Sequence, residues 1–108
     1  MRELALALPE THEHQHRGRP DLRVKNKIFA TLPADGRTVN VKTTPADLDL
    51  LVSTAPDTFR DVWGGTWVGV DLGRISRSRL RGLVITAWRL AAPKRLRDAN
   101  ADTISSAS

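Results

Sequence analysis

Residues 18–42 read Gly18-RPDLRVKNKIFATLPADGRTVNV-Lys42. Leu22 and Val24 alternate with Asp21, Arg23 and Lys25, the period-two pattern of a half-buried strand. Lys25-Asn26 suits a two-residue hairpin turn, because Asn tolerates positive φ. Ile28, Ala30 and Leu32 then alternate with Lys27, Phe29 and Thr31. Asp35-Gly36 makes the next turn, and Val39 and Val41 form the inner face of the strand that follows. This is a β-meander whose off-core positions carry mostly Arg and Lys.

Helices flank the meander. Leu4, Ala5 and Leu8 fall at helical spacing before Pro9, which stops the first helix because the residue preceding a proline avoids the α region. Thr44-Pro45-Ala46-Asp47 is a helix start: a capping hydroxyl, a proline at the first position and an acid near the positive end. Leu48, Leu51, Val52 and Ala55 line one face of that helix, and Pro56 ends it. Residues 59–66 read as irregular, with Gly64-Gly65 serving a turn into a strand at Trp67–Leu72. From about Ser76 to Ala92, Leu80, Leu83, Val84, Ala87, Trp88 and Ala91 form an amphipathic stripe. Pro93 stops it.

The expected order is α-β-β-β-β-α-β-α. Strands joined by tight turns imply an antiparallel sheet, so the expected class is α+β, with three helices packed on one face. The expected domain is residues 1–94, followed by a tail, 95–108, whose Ala, Ser and Asp content predicts no fixed structure.

Composition narrows the function. A length of 108 residues fits one domain. There is no cysteine, which excludes disulfides, zinc–thiolate sites and thiol catalysis. No run of 18 apolar residues occurs, so no spanning helix is expected, and the expected location is cytoplasmic. Seventeen basic residues against 12 acidic ones give a net charge of +5, and 13 of the basic residues are Arg. Arg offers a planar fork of donors suited to phosphate and carboxylate, so a polyanion is the expected partner class.

Six segments resemble, in order, the MmcQ/YjbR family of small bacterial proteins. They are Ala5-Leu6-Ala7-Leu8-Pro9, Gly18-Arg19-Pro20, Lys27-Ile28-Phe29-Ala30-Thr31-Leu32, Pro56 with Phe59, Trp67-Val68-Gly69-Val70-Asp71-Leu72, and Ala87-Trp88-Arg89-Leu90-Ala91-Ala92-Pro93-Lys94. Together they span about residues 4 to 94. The resemblance implies a fold similar to frataxin and to the double-wing domain of a phage transcription factor, and a DNA-binding role. The chain departs from the family pattern at Arg77, Arg79 and Arg81, where acids are frequent, and at His16, where an aromatic residue is common.

The candidate nucleic-acid-binding residues are Arg19, Arg23, Lys25, Lys27, Arg37 and Lys42, with Arg77 and Arg81 as helpers; Arg17 enters from the same turn as Arg19. Each phosphate they neutralise would release counterions. The competing explanation is a solvated sheet face whose charges guard its edges. Arg74, Arg77, Arg79 and Arg81 crowd the start of the last helix, where the dipole disfavours cations; they suit an anion there, or ion pairs with Asp71 or Asp57. Phe29 and Trp67 are core residues or, less expectedly, stacking platforms for unpaired bases. His12, His14 and His16 would share one strand face, with Glu13 on the other, and a polar edge strand explains them better than a metal site. An acidic ridge for iron is missing. No nucleophile elbow, phosphate-binding glycine loop or catalytic spacing is present, so neither an enzyme nor a cofactor is expected. The leading expectation is binding of duplex DNA through its phosphates. The alternative is a non-enzymatic protein-interaction or small-anion-binding module.

Overall fold

The computed structural model describes residues 1–16 and 18–100, with only the backbone of His16. Arg17 and residues 101–108, the greater part of the expected tail, lie outside the described residues. The elements are α1 (Arg2–Leu6), β1 (Thr11–His16), β2 (Arg19–Val24), β3 (Lys27–Thr31), β4 (Thr38–Lys42), α2 (Pro45–Thr54), β5 (Phe59–Asp61), β6 (Trp67–Asp71), a single 3-10 turn (Leu72–Arg74), α3 (Arg77–Ala91) and α4 (Lys94–Ala99). The six strands form one antiparallel sheet in the order β1-β2-β3-β4-β6-β5. The class is α+β, as the meander implied.

Local chemistry sets most boundaries. Lys25 and Asn26 both adopt positive φ, 50° and 66°, and Val24 pairs with Lys27 across them. Two positive-φ residues between paired strands make the hairpin turn whose twist matches that of the strands. The Asp35 carboxylate accepts from the backbone N–H groups of Arg37 (2.8 Å) and Thr38 (3.1 Å), closing the next turn. Thr44 Oγ1 accepts from Asp47 N and Ser76 Oγ from Arg79 N, each at 3.2 Å, so α2 and α3 start on side-chain caps.

The core lies between the inner sheet face and the helices. Leu22, Val24, Val39, Val41, Val68 and Val70 are fully buried, as are Phe59 of β5 and Val84 and Trp88 of α3. α3 packs on β3 and β4, α2 on β5, and α1 between α3 and β1. Trp88 Nε1 donates to Pro9 O at 3.1 Å, tying α3 to the chain end that α1 presents.

Three expectations need correction. The alternation of Ile28, Ala30 and Leu32 does not run through β3: Phe29 is 0% exposed, in the core as its favoured reading had it, while Ile28 pairs with Arg23 on the opposite face. A bulge explains this: Leu22 pairs with Ala30 but Arg23 with Ile28, leaving Phe29 as the extra residue. The slip lets Phe29 and Ala30 both enter the core, so Phe29 is no stacking platform. Second, residues 59–61 are a strand, β5, at the sheet edge; three residues are too few to display a period-two signature. Third, the chain does not lose structure at residue 95. Lys94–Ala99 form α4, held by a Lys94–Asp98 pair (3.1 Å, i,i+4) and by Leu96, which packs on the core.

Candidate nucleic-acid interface

Antiparallel partners share a sheet face, so the register assigns each side chain to a side. Thr11 and Glu13 oppose Val24 and Leu22 and stand on the helix side. Glu13 there accepts from Arg2 Nε at 2.7 Å. His12 opposes Arg23, His14 opposes Asp21 and His16 opposes Arg19. His12, His14, Arg19, Asp21 and Arg23 lie with Ile28, Thr31, Asn40, Trp67, Gly69 and Arg60 on the other face, which no helix among the described residues covers.

On β2, within this uncovered face, is an ion pair. Arg23 Nε and Nη2 donate to Asp21 Oδ1 and Oδ2 at 2.8 and 3.2 Å. Asp21 is only 4% exposed. The hydrogen bond to the carboxylate holds the Arg23 guanidinium above even its usual basicity. A buried carboxylate must keep its cation, so Arg23 is not free for phosphate.

Several other candidates are engaged too. Lys25 Nζ lies 2.8 Å from Glu10 Oε1. Arg77 Nη1 donates to Glu3 Oε1 at 3.0 Å, and this bond holds the Glu3 carboxyl below its usual range. Arg74 lies 3.4 Å from Asp71, one of the pairings expected from sequence. The Arg79 guanidinium sits 5.1 Å from the centre of the Phe59 ring, a cation–π contact. Both the acid partners and the ring ease the dipole cost at the start of α3. Arg19, Lys27, Arg37, Lys42 and Arg81 have no acidic partner among the described residues.

These cations do not form one strip. Strand direction sets Arg19 and Arg37 at the end of the sheet where α3 begins, and Lys25, Lys27 and Lys42 at the opposite end. α3 lies against the inner face, so Arg77 and Arg81 belong to the layer opposite Arg23. The meander and the α3 arginines therefore lie on different sides of the molecule.

The uncovered face holds a feature that the sequence did not announce. The β5–β6 connection turns back over it on Gly64 and Gly65, at φ 76° and 110°. Asp61 Oδ1 accepts from Gly65 N at 3.1 Å and braces this turn. Val62 rests on Gly69, where an added Cβ would come within 2.8 Å of Val62 Cγ1. Glycine in the middle of β6 thus makes room for the loop. Trp63, 54% exposed, then stands edge-on to Trp67 at 5.3 Å and walls a cleft of about 240 Å³. Asp21, Asn40 and Thr31 lie at the cleft, with Arg19 on its lining. Trp63, Asn40, Gly69 and Arg60 are the residues that sequence reasoning missed. The glycine inside a strand pattern was the available signal, since such a residue often marks close approach by another segment.

His12 and His14 stand edge-to-face with ring centres 6.3 Å apart. Among the described residues no group of three or more acids and histidines could hold a metal ion; the side chain of His16 lies outside them. No helix among the described residues is long and apolar enough to cross a membrane.

Residues 6–90 match the YjbR family. The chain belongs to that family. Solved structures with the same fold include two of low identity. One is the Deinococcus radiodurans protein DR2400, a DUF419 domain, with 19% identity over 93% of this chain and 84% of that one at a TM-score of 0.76. The other is a Pseudomonas syringae protein with 14% identity over 77% of this chain and 88% of that one at a TM-score of 0.55. At such identities the likeness concerns the fold. No curated protein matches the chain.

Proposed function

We propose that this YjbR-family protein binds DNA, duplex in the first instance, through phosphate contacts spread over the uncovered sheet face. One observation carries this: that face has surplus positive charge beside exposed aromatic surface. Its carboxylates, Asp21 and Asp71, are neutralised by Arg23 and Arg74. Arg19, Lys42 and Arg60 remain on it without an acid partner among the described residues, around Trp63 and Trp67. Such a surface positions on a backbone rather than reading base edges. Arg60 joins the candidate set, while Arg23, Lys25 and Arg77 leave it because their charge is already spent.

The test is a titration of labelled duplex at several salt concentrations. Three phosphate contacts give a log–log slope of roughly −3, about 0.9 per phosphate. Replacing Arg19, Lys42 and Arg60 together by Ala is expected to flatten it. No binding at low salt, or an unchanged slope in the triple variant, refutes the proposal and turns attention to an acidic protein or small-anion partner.

A further inference from the structure

The cleft beneath Trp63 differs from the rest of the uncovered face, and the spread of charge does not account for it. Its walls are apolar: the Trp63 indole on one side and Ile28, Leu32, Pro33 and Pro20 on the others. Its polar groups are few and convergent. Asn40 Nδ2 donates one hydrogen to Thr31 Oγ1 at 3.1 Å. Its other amide hydrogen and its carbonyl oxygen have no protein partner among the described residues. The two Asp21 oxygens each accept one N–H from Arg23, which leaves each with a further lone pair. Arg19 stands on the same lining as Asp21 and has no acidic ion-pair partner among the described residues.

Those groups select a ligand class. A fatty chain would leave the Asn40 carbonyl, its second amide hydrogen and the spare Asp21 lone pairs unmatched in an apolar contact, an unfavourable burial. A cationic ligand would meet Arg19 and Arg23. A planar heterocycle with ring N–H and amino groups satisfies Asn40 and Asp21 at its edge and lays its face on the Trp63 ring, and a phosphate attached to it reaches Arg19. At about 240 Å³ the cleft is smaller than a usual small-molecule site of about 300–1,000 Å³, which suits one ring system rather than two.

We infer that the Trp63 cleft is a subsite for a single unstacked nucleobase, held between Trp63 and the Asn40–Asp21 edge with its phosphate at Arg19. The inference deepens the DNA-binding proposal and rests on it only for the source of the base. The same chemistry could be supplied by an unpaired nucleotide in a strand or by a free mononucleotide.

Tryptophan emission reports on the cleft, because Trp63 is exposed with half-buried Trp67 5.3 Å from it, while Trp88 is fully buried; the choice of ligand separates the sources. The full chain is titrated with an eight-nucleotide single strand, a blunt duplex, and each of the four ribonucleoside monophosphates. The single strand is expected to quench at lower concentration than the duplex. Trp63→Leu, at an exposed loop position, is expected to weaken single-strand binding on the order of tenfold, the usual effect of losing one stacked base. Trp63→Phe is expected to recover part of it. Anisotropy of a labelled strand reads the variants independently of the lost indole. Quenching by a monophosphate but by neither polymer supports the cleft with a free nucleotide as its ligand, and overturns the polymer proposal alone. Salt-dependent duplex binding, with neither single strand nor monophosphate sensitive to Trp63→Leu, overturns the cleft and leaves the polymer proposal standing.

Discussion

Asp21 shows how one residue constrains the surface around it. Its carboxylate is buried on a face that the helices leave open, so it is stable only with Arg23 across it. Arg23→Gln alone is therefore expected to lower the unfolding midpoint, and adding Asp21→Asn to recover part of the loss, as read by thermal melts of the two variants. Asp35 is the second case. The backbone N–H of Arg37, with those of Thr38 and its hydroxyl, holds its carboxyl below the usual range. A depressed carboxylate contributes stability that is complete above its unfolded value, near pH 4, and is lost as pH falls through the lower folded value. Asp35→Asn is expected to flatten the acid limb of the stability profile below about pH 4, which melts at a series of pH values would display. Glu3 titrates in the same sense through Arg77, so some acid dependence persists in that variant.

Among the elements, β3 carries the plainest lesson. A strict alternation of Ile28, Ala30 and Leu32 sends Phe29 outward, yet the bulge against Leu22 and Arg23 turns it into the core. Phe29→Ala is expected to cost about 3–5 kcal/mol in chemical denaturation, the range for a buried aromatic; an outward Phe29 would cost far less. The caps were legible because they depend on neighbours three residues apart. Thr44→Ala is expected to cost about 1 kcal/mol. The Val62–Thr66 loop depends on a contact that sequence does not display. Gly69→Ala forces Val62 to shift, and a cost of about 1–3 kcal/mol together with altered Trp63 emission is the expected result.

On the scale of the whole molecule, the sheet separates two sets of cations that look alike in the sequence. Under the proposal those on the uncovered face meet the polyanion, whereas Arg74, Arg77 and Arg79 at the start of α3 meet Asp71, Glu3 and the Phe59 ring within the protein. Charge reversal at Arg19 and Arg60 is expected to abolish DNA binding in an anisotropy assay, and Arg77→Glu to leave it nearly unchanged. The opposite ranking would move the interface to the helix layer.

By itself the sequence determined the longer elements, the turns and the α+β class, though not β5 or α4, because periodicity, caps and positive-φ residues act over a few neighbours. The Lys25-Asn26 turn, the Thr44 cap and the α3 stripe were all present in the order of residues. Only the tertiary structure decided which cations are free and where a ligand could enter. Arg77 finds Glu3 across 74 positions, and the Trp63 cleft joins β2, β3, β4 and a loop seated on Gly69. Ion pairing and cavity formation depend on distance in space, and a linear pattern carries that distance only once the sheet has closed.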